Sequence, residues 1–336
     1  MADRDAQIAA LLRAGRWSRA ARTPLAGDAS FRHYERLTDG GRRAVLMDAP
    51  PPMEDVGPYI TVARHLLKLG YSAPRVLAQD VQAGLVLIED LGDDTYTRLL
   101  ERDGDEEALY TLAVDLLIDL HGRTQAATAV AVPPYDDGRL LDEAVLLVDW
   151  YLPAMRGRPS SRAERKGYLE LWQALFPAAR RVPETLVLRD YHVDNLIRLK
   201  DRDGIGACGL LDFQDAVIGP VTYDLMSLLE DARRDVAPEL ARKMKARYLA
   251  AFPELDREAF QTSYAILGAQ RHAKVIGIFT RLSVRDGKSA YLAHIPRVWR
   301  LLKGALQHPA LAPVRDWFGR HVPPSERGVP PRRTAA

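Results

Sequence analysis

Cysteine is nearly absent: Cys208 stands alone among 336 residues, so no disulfide framework can form within the chain. Net charge is also nearly absent. The 47 Lys and Arg against 45 Asp and Glu leave +2, with both signs interleaved along the sequence. A nucleic-acid binder gathers its cations on one face, so this pattern argues against that class. No apolar run reaches the ~18–20 residues of a membrane helix. The opening Met1-Ala2-Asp3-Arg4-Asp5 is too acidic for a secretory signal peptide, and there is no internal repeat. These absences predict a soluble, cytoplasmic protein with no nucleic-acid or membrane partner, expected to act as a monomer.

Hydrophobic residues make up 47% and charged residues 27%, enough for a large core and two lobes. Apolar periodicity predicts a helix over residues 4–14. A strand, small-residue turn and strand follow over 25–37, and a third strand over 44–47 stops at Ala49-Pro50-Pro51-Pro52. A helix over 54–69 should end at Gly70, with strands over 75–79 and 85–88 behind it. From Asp94 the pattern turns helical, with helices over 106–125, 139–151, 161–179, 222–233, 237–250, 257–277 and 295–306. The fold class expected is therefore α+β: a β-rich lobe over 1–90, a mostly helical lobe over 91–322, and a Pro/Arg-rich tail over 323–336 with no fixed structure.

Two clusters in the second half carry chemistry. Thr185-Leu186-Val187-Leu188 runs as a strand into Arg189-Asp190-Tyr191-His192-Val193-Asp194-Asn195, and Leu196-Ile197-Arg198-Leu199 leaves as another. A turn at 200–204 returns the chain through an apolar strand to Asp212-Phe213-Gln214-Asp215. An R-D-x-x-x-x-N loop followed at hairpin spacing by D-F-x is the base-and-metal arrangement of kinase-type phosphoryl transfer. Nucleotide phosphates need a divalent cation, and hard oxygen donors suit Mg²⁺: the carboxylate of Asp212 and the amide oxygen of Asn195. Asp190 is then the base that accepts the proton of the attacking hydroxyl. Two unrelated exposed loops with aspartates are the plain alternative. Gly27, Ala29 and Ser30 are small enough to let main-chain amides approach a phosphate, although an ordinary hairpin turn would look the same.

With a β-lobe, a hinge and these two motifs, the chain resembles the aminoglycoside phosphotransferase and choline kinase branch of the protein-kinase-like fold over nearly its whole length. Three stretches, L-A-G-D-A-S-F-R-H-Y at 25–34, V-L-M-D-A-P-P at 45–51 and L-D-F-Q-D-A at 211–216, look like the anomeric sugar kinases of that branch. Those enzymes phosphorylate N-acetylmuramate and N-acetylglucosamine at the C1 hydroxyl in peptidoglycan recycling. The resemblance implies ATP as co-substrate, Mg²⁺ as cofactor and a small amino sugar as acceptor. It implies nucleotide contacts at Asp28, Ala29, Ser30, Met47 and the hinge Glu89, Asp90 and Leu91, the hinge meeting adenine through backbone groups. Gly219-Pro220 and Tyr223-Asp224-Leu225 match the segment after the metal ligand, where Asp224 would brace the catalytic loop.

The chain departs from the wider pattern at one place of consequence. Kinases of this fold usually carry a lysine on the third strand, paired with a helix glutamate, and here Met47 stands instead. Glu54 is the one glutamate of the following helix, at its very start. Arg32 and His33 are possible substitutes, and exposed hairpin cations are the ordinary alternative. The residue before Arg189 is Leu188, where many kinases have histidine.

Several residues carry two readings each. His192 either orients the loop or touches substrate. Asp215 either binds ring hydroxyls or caps a following helix. The cluster Asp149-Trp150-Tyr151 offers rings for a sugar's C–H face and a carboxylate for its hydroxyls, or it is packing. Gln270-Arg271-His272-Ala273-Lys274 is either a solvated helix face or a cationic patch whose Arg271 meets the carboxylate of a muramic acid. Two rival functions remain at this stage: an aminoglycoside or other small-alcohol kinase, and a nucleotide-binding pseudokinase scaffold.

Overall fold

The computed structural model describes residues 2–25 and 31–331. The chain forms two compact units, Met1–Val132 with Leu188–Ala216, and Pro133–Val187 with Val217–Ala336.

The first unit opens with helix α1 (Ala2–Ala14) and a five-stranded antiparallel sheet: β1 (Ala21–Pro24), β2 (His33–Asp39), β3 (Arg42–Asp48), β4 (Val76–Asp80) and β5 (Leu85–Glu89), in the order β1-β2-β3-β5-β4. Between β2 and β3 the chain turns on Gly40-Gly41, both at positive φ (55° and 85°). A two-residue hairpin turn whose twist matches the strands requires that conformation, and glycine adopts it without a Cβ clash. Strand alternation then sorts the side chains. Leu37, Ala44, Leu46, Leu85 and Leu87 pack with Ile8, Leu11, Leu12 and Trp17 in one core under α1. Tyr34, Met47 and Val86, which share one row of the register, face the other way.

Helix α2 (Gly57–Lys68) buries Tyr59, Ile60, Val62, Ala63 and Leu66. It ends at Gly70 as its sequence predicts: Gly70 N–H donates to Leu67 C=O and Tyr71 N–H to Leu66 C=O, both at 3.0 Å. Short α3 (Tyr96–Leu100) follows. Then α4 (Glu106–Gly122) begins on an Asp105 cap and buries Leu109, Ala113, Leu116, Leu117 and Leu120, and α5 (Thr124–Ala127) closes the stretch.

The second unit is mainly helical: α6 (Asp137–Ala144), a π-helical turn Leu147–Tyr151, α7 (Leu152–Arg156), α8 (Arg162–Ala179), α9 (Thr222–Leu229), α10 (Pro238–Ala251), α11 (Arg257–Asp286), α12 (Ile295–Ala305) and α13 (Ala312–His321). Strands β6 (Glu184–Val187) and β9 (Val217–Pro220) pair antiparallel in this unit, while the short hairpin β7 (Leu196–Arg198) and β8 (Cys208–Leu210) belongs to the first. Helix α11 runs nine residues past the expected stop at Gly277. That glycine is there for close packing, since a Cβ on it would lie 2.4 Å from the Leu146 carbonyl carbon.

The part of the Pro/Arg-rich tail over 326–328 is held in place, where composition suggested no fixed structure; residues 332–336 lie outside the described residues. Glu326 pairs with Arg156 at 2.9 Å, Gly328 N–H donates to the Tyr151 hydroxyl, and Arg327 donates to the carbonyls of Val322 and Phe318. Specific polar anchoring holds this segment in place of the local structure its composition cannot form. Among the described residues no helix is long and apolar enough to cross a membrane.

Candidate active site

The site loop is strained at both ends. Arg189 has φ +69° and Asp212 φ +57°, a region L-residues other than glycine seldom enter. Such conformations persist where the surroundings enforce them, most often at functional sites. At the first, Asp190 N–H donates back to Leu188 C=O at 2.9 Å. At the second, the turn directs the Asp212 carboxylate to the same place.

The loop is then fastened to its own unit. The buried Tyr191 hydroxyl donates to the Ala113 carbonyl of α4 at 2.8 Å, and Thr97 of α3 donates to the Asp194 carboxylate. Asp194 is thus an anchor of the loop. Leu211 N–H donates to Asn195 C=O at 2.9 Å, joining the loop to the chain that carries Asp212.

Asn195 and Asp212 meet. The Asn195 Nδ2 donates to the Asp190 carbonyl at 2.9 Å and lies 3.5 Å from Asp212 Oδ2. With its nitrogen used this way, the amide oxygen is the part of Asn195 left to face a cation. Gln214, buried, donates to Asp212 Oδ1 at 2.9 Å, and Arg32 Nη1 lies 3.7 Å from the same oxygen. Below them Phe213 stacks on Tyr59 of α2, with ring centroids 5.0 Å apart. Burial and the Asp212 charge push the Tyr34 hydroxyl up to about 12, so it stays protonated. Hard oxygen donors at one edge, a nearby second carboxylate and a cation form a set suited to handling phosphate with a divalent ion.

The remaining expected residues fall as follows. His192 is buried, with Nε2 3.4 Å from Asn195 Nδ2 and Nδ1 3.9 Å from Asp194, so it sits inside the loop. Asp215 is exposed, and strand β9 follows it, so the helix-cap alternative has no helix to cap. Met47 is fully buried. Hinge residue Glu89 pairs with Arg75 and Arg202, and Asp90 pairs with Arg36 at 2.7 Å. Both carboxylates are therefore occupied by ion pairs. Asp28, Ala29 and Ser30 lie outside the described residues.

In the second unit, Asp224 is buried in the first turn of α9. Tyr151 is fully buried, and its hydroxyl is engaged by Trp299 Nε1 (3.0 Å) and by the main chain of Glu326 and Gly328. Its expected sugar contact is therefore corrected to packing: one hydroxyl already serving the core and the tail has nothing left for a ligand. Asp149 pairs with Arg165 in the open, while Trp150 keeps partial exposure. The 270–274 patch is buried in α11, not solvated: Lys274 pairs with Glu143 at 2.8 Å and His272 with Glu230 at 2.7 Å. Arg271 is 4% exposed, and its Nη1 has no hydrogen-bond partner among the described residues.

Sequence reading overlooked Gln214, although its place two residues after the metal-ligand aspartate was a usable signal. It also set aside Glu54, and left Arg32 between a substitute for the missing lysine and an exposed hairpin cation.

A strained loop holding an aspartate and an asparagine, with a second aspartate turned onto them beside an antiparallel sheet, defines a phosphotransferase of kinase-like architecture. The chain belongs to the phosphotransferase enzyme family, whose model matches residues 21–260. An N-acetylmuramate/N-acetylglucosamine kinase of Caulobacter vibrioides is 39% identical to it, with 97% of this chain and 98% of that one covered. A protein of the same description from Pseudomonas aeruginosa is 38% identical, with 87% and 86% covered. Among solved structures, a choline/ethanolamine kinase family protein from Mesorhizobium loti superposes with a TM-score of 0.61 over 93% of this chain and 96% of that one. At 16% identity that likeness shows the fold alone.

Proposed function

We propose that this protein is an ATP- and Mg²⁺-dependent kinase that phosphorylates the anomeric hydroxyl of N-acetylmuramate and of N-acetylglucosamine in the cytoplasm. The observation that carries the phosphoryl-transfer half of this reading is the meeting of Asn195 and Asp212 behind Asp190. The acceptor rests on relatives that cover nearly the whole chain and carry that description. They favour neither the aminoglycoside reading nor the scaffold reading.

In this mechanism the Asn195 amide oxygen and the Asp212 carboxylate would hold Mg²⁺, which would neutralise charge on the phosphates. Among the described residues no three or more His, Cys, Asp or Glu side chains gather into a metal cage. Two protein oxygens completed by substrate phosphates are the arrangement Mg²⁺ favours. Asp190 positions the C1 hydroxyl and takes its proton at a carboxylate oxygen. An anomeric hydroxyl is more acidic than an ordinary alcohol, so much of this duty is alignment. The main chain at Glu89, Asp90 and Leu91 meets adenine, and Met47 lies under the nucleotide on the face of the sheet turned away from α1.

For the acceptor we assign Trp150 to stack on the sugar, and Asp215 to bind ring hydroxyls, with His192 keeping the loop in shape from inside. Arg271 would receive the lactyl carboxylate. A buried guanidinium with an unsatisfied nitrogen is costly, and an arriving carboxylate removes that cost.

The test is phosphorus NMR of the product formed from ATP, Mg²⁺ and N-acetylmuramate. A sugar-1-phosphate resonance coupled to the anomeric proton is expected. Absence of turnover on both amino sugars would overturn the acceptor. Asp190→Asn should lower kcat by ~10²–10⁴ while leaving ATP bound, and near-normal turnover in that variant would remove Asp190 from the mechanism.

A further inference from the structure

Kinase architecture calls for a cation on the phosphates, held by a glutamate. On the third strand this chain offers the thioether of Met47, fully buried in a row with Tyr34 and Val86. No charge can come from there. A charge does arrive from the residue immediately before β2. The Arg32 side chain is 10% exposed, and its Nη2 lies 3.0 Å from Glu54 Oε2. The other carboxylate oxygen of Glu54 accepts the Phe31 main-chain N–H at 3.2 Å, so one glutamate grips both the arginine and the chain that carries it. The opposite tip of the fork, Nη1, lies 3.7 Å from Asp212 Oδ1.

Two features separate this pair from an ordinary ion pair. It is buried, whereas hairpin cations usually extend into water. And it spans Glu54 and the aspartate assigned to the metal, two points of one unit between which a bound phosphate chain has to pass. A guanidinium presents five donors in a rigid fork, a geometry that matches carboxylate and phosphate oxygens alike.

We propose that Arg32, held by Glu54, is the cation that grips the nucleotide's phosphates in this chain, a duty Met47 cannot perform. The proposal rests on the kinase reading and adds to it the residue that replaces the missing lysine. It also accounts for the Phe31–Glu54 contact, since a clamp is useful only if its base cannot shift.

The experiment compares two probes by isothermal titration calorimetry on the full chain: a non-hydrolysable ATP analogue with Mg²⁺, and adenosine, which has no phosphates. Arg32→Gln should weaken the analogue about tenfold to hundredfold, the range for a lost hydrogen bond to a charged group, and leave adenosine unchanged. Arg32→Lys should restore most of the affinity as a point charge, and Glu54→Gln should fall between. In steady state the loss should appear in KM for ATP as well as in kcat. Equal weakening of both probes would mean a structural role, and unchanged analogue binding in Arg32→Gln would mean no phosphate contact. Either result overturns the proposal while the kinase reading stands. A wild-type chain that binds neither probe would overturn both.

Discussion

Gln214→Leu isolates the orientation of Asp212 from the rest of the site. The Gln214 side chain is 8% exposed and donates from Nε2 to Asp212 Oδ1 at 2.9 Å, with a weaker approach to Asp215 at 3.4 Å. Leucine fills similar space but cannot donate. A hydrogen bond to a charged group contributes about 1.5–3 kcal/mol, and outer partners of metal ligands typically change metal affinity or activity by about 10–100-fold. The Mg²⁺ concentration for half-maximal rate should therefore rise by roughly that factor, and kcat/KM should fall with it. Stability should change by less than ~1 kcal/mol, because Asp212 is a third exposed and water can take the vacated place. A coupled ADP-release assay across a Mg²⁺ titration, with a thermal melt as control, reads both quantities. Gln214→Glu should be worse at every Mg²⁺ concentration, since it sets a third carboxylate beside Asp212 and Asp215. If Gln214→Leu showed an unshifted Mg²⁺ curve, Gln214 would have no part in aiming Asp212.

Three further outcomes are expected. Glu143→Leu strands the Lys274 ammonium in the core, a loss of ~3–5 kcal/mol and a fall in Tm on the order of 10 °C. Adding Lys274→Met should recover most of it, and a double variant that melts no higher than the single one would exonerate the pair. Burial pushes the His121 imidazole down to about 3, against ~6.5 in the unfolded chain, so the folded state holds it neutral. Its contribution is complete above pH ~6.5 and is lost as pH falls toward 3, amounting to about 2 kcal/mol between pH 7.5 and 5. Urea midpoints of His121→Gln at those two values should differ by correspondingly less than those of wild type. Burial pushes the Cys208 thiol up to about 12, so a thiol reagent should label the chain only after denaturation.

Strands and helices with clean periodicity were legible in advance. The hairpin over β2 and β3, α2 with its glycine stop, α4 with its apolar face and the R-D-x-x-x-x-N loop all follow from local rules. What escaped depends on partners far along the chain. Arg32 reads as an exposed hairpin cation until Glu54, 22 residues on, is seen to bury it. The polar run 270–274 reads as a wet face until Glu143 and Glu230 are seen to receive Lys274 and His272. Gly277 reads as a stop because closeness to the Leu146 backbone leaves no mark in the sequence around it. Tyr151 and Trp150 are neighbours with opposite fates because the π-helical turn that carries them alters which residue faces inward. Strand β9 is too short, and its Gly219-Pro220 too turn-like, to stand out without β6 beside it.

The two units are not consecutive in the gene. The chain passes from one to the other after residues 132, 187 and 216, so no single cut yields one fragment per unit. During synthesis the sheet, α2 and α4 emerge early, but Asp190, Asn195 and Asp212 leave the ribosome only after the first part of the other unit has been made. At ~5–20 residues per second this is a delay of several seconds. In that interval the nascent chain holds Arg32 and Glu54 without the aspartate that faces them. A product interrupted near residue 132 would carry most of the sheet-bearing unit and none of Asp190, Asn195 and Asp212. Fragment complementation or domain exchange among relatives therefore has to transplant two segments together, residues 1–132 and 188–216, for the site to be whole.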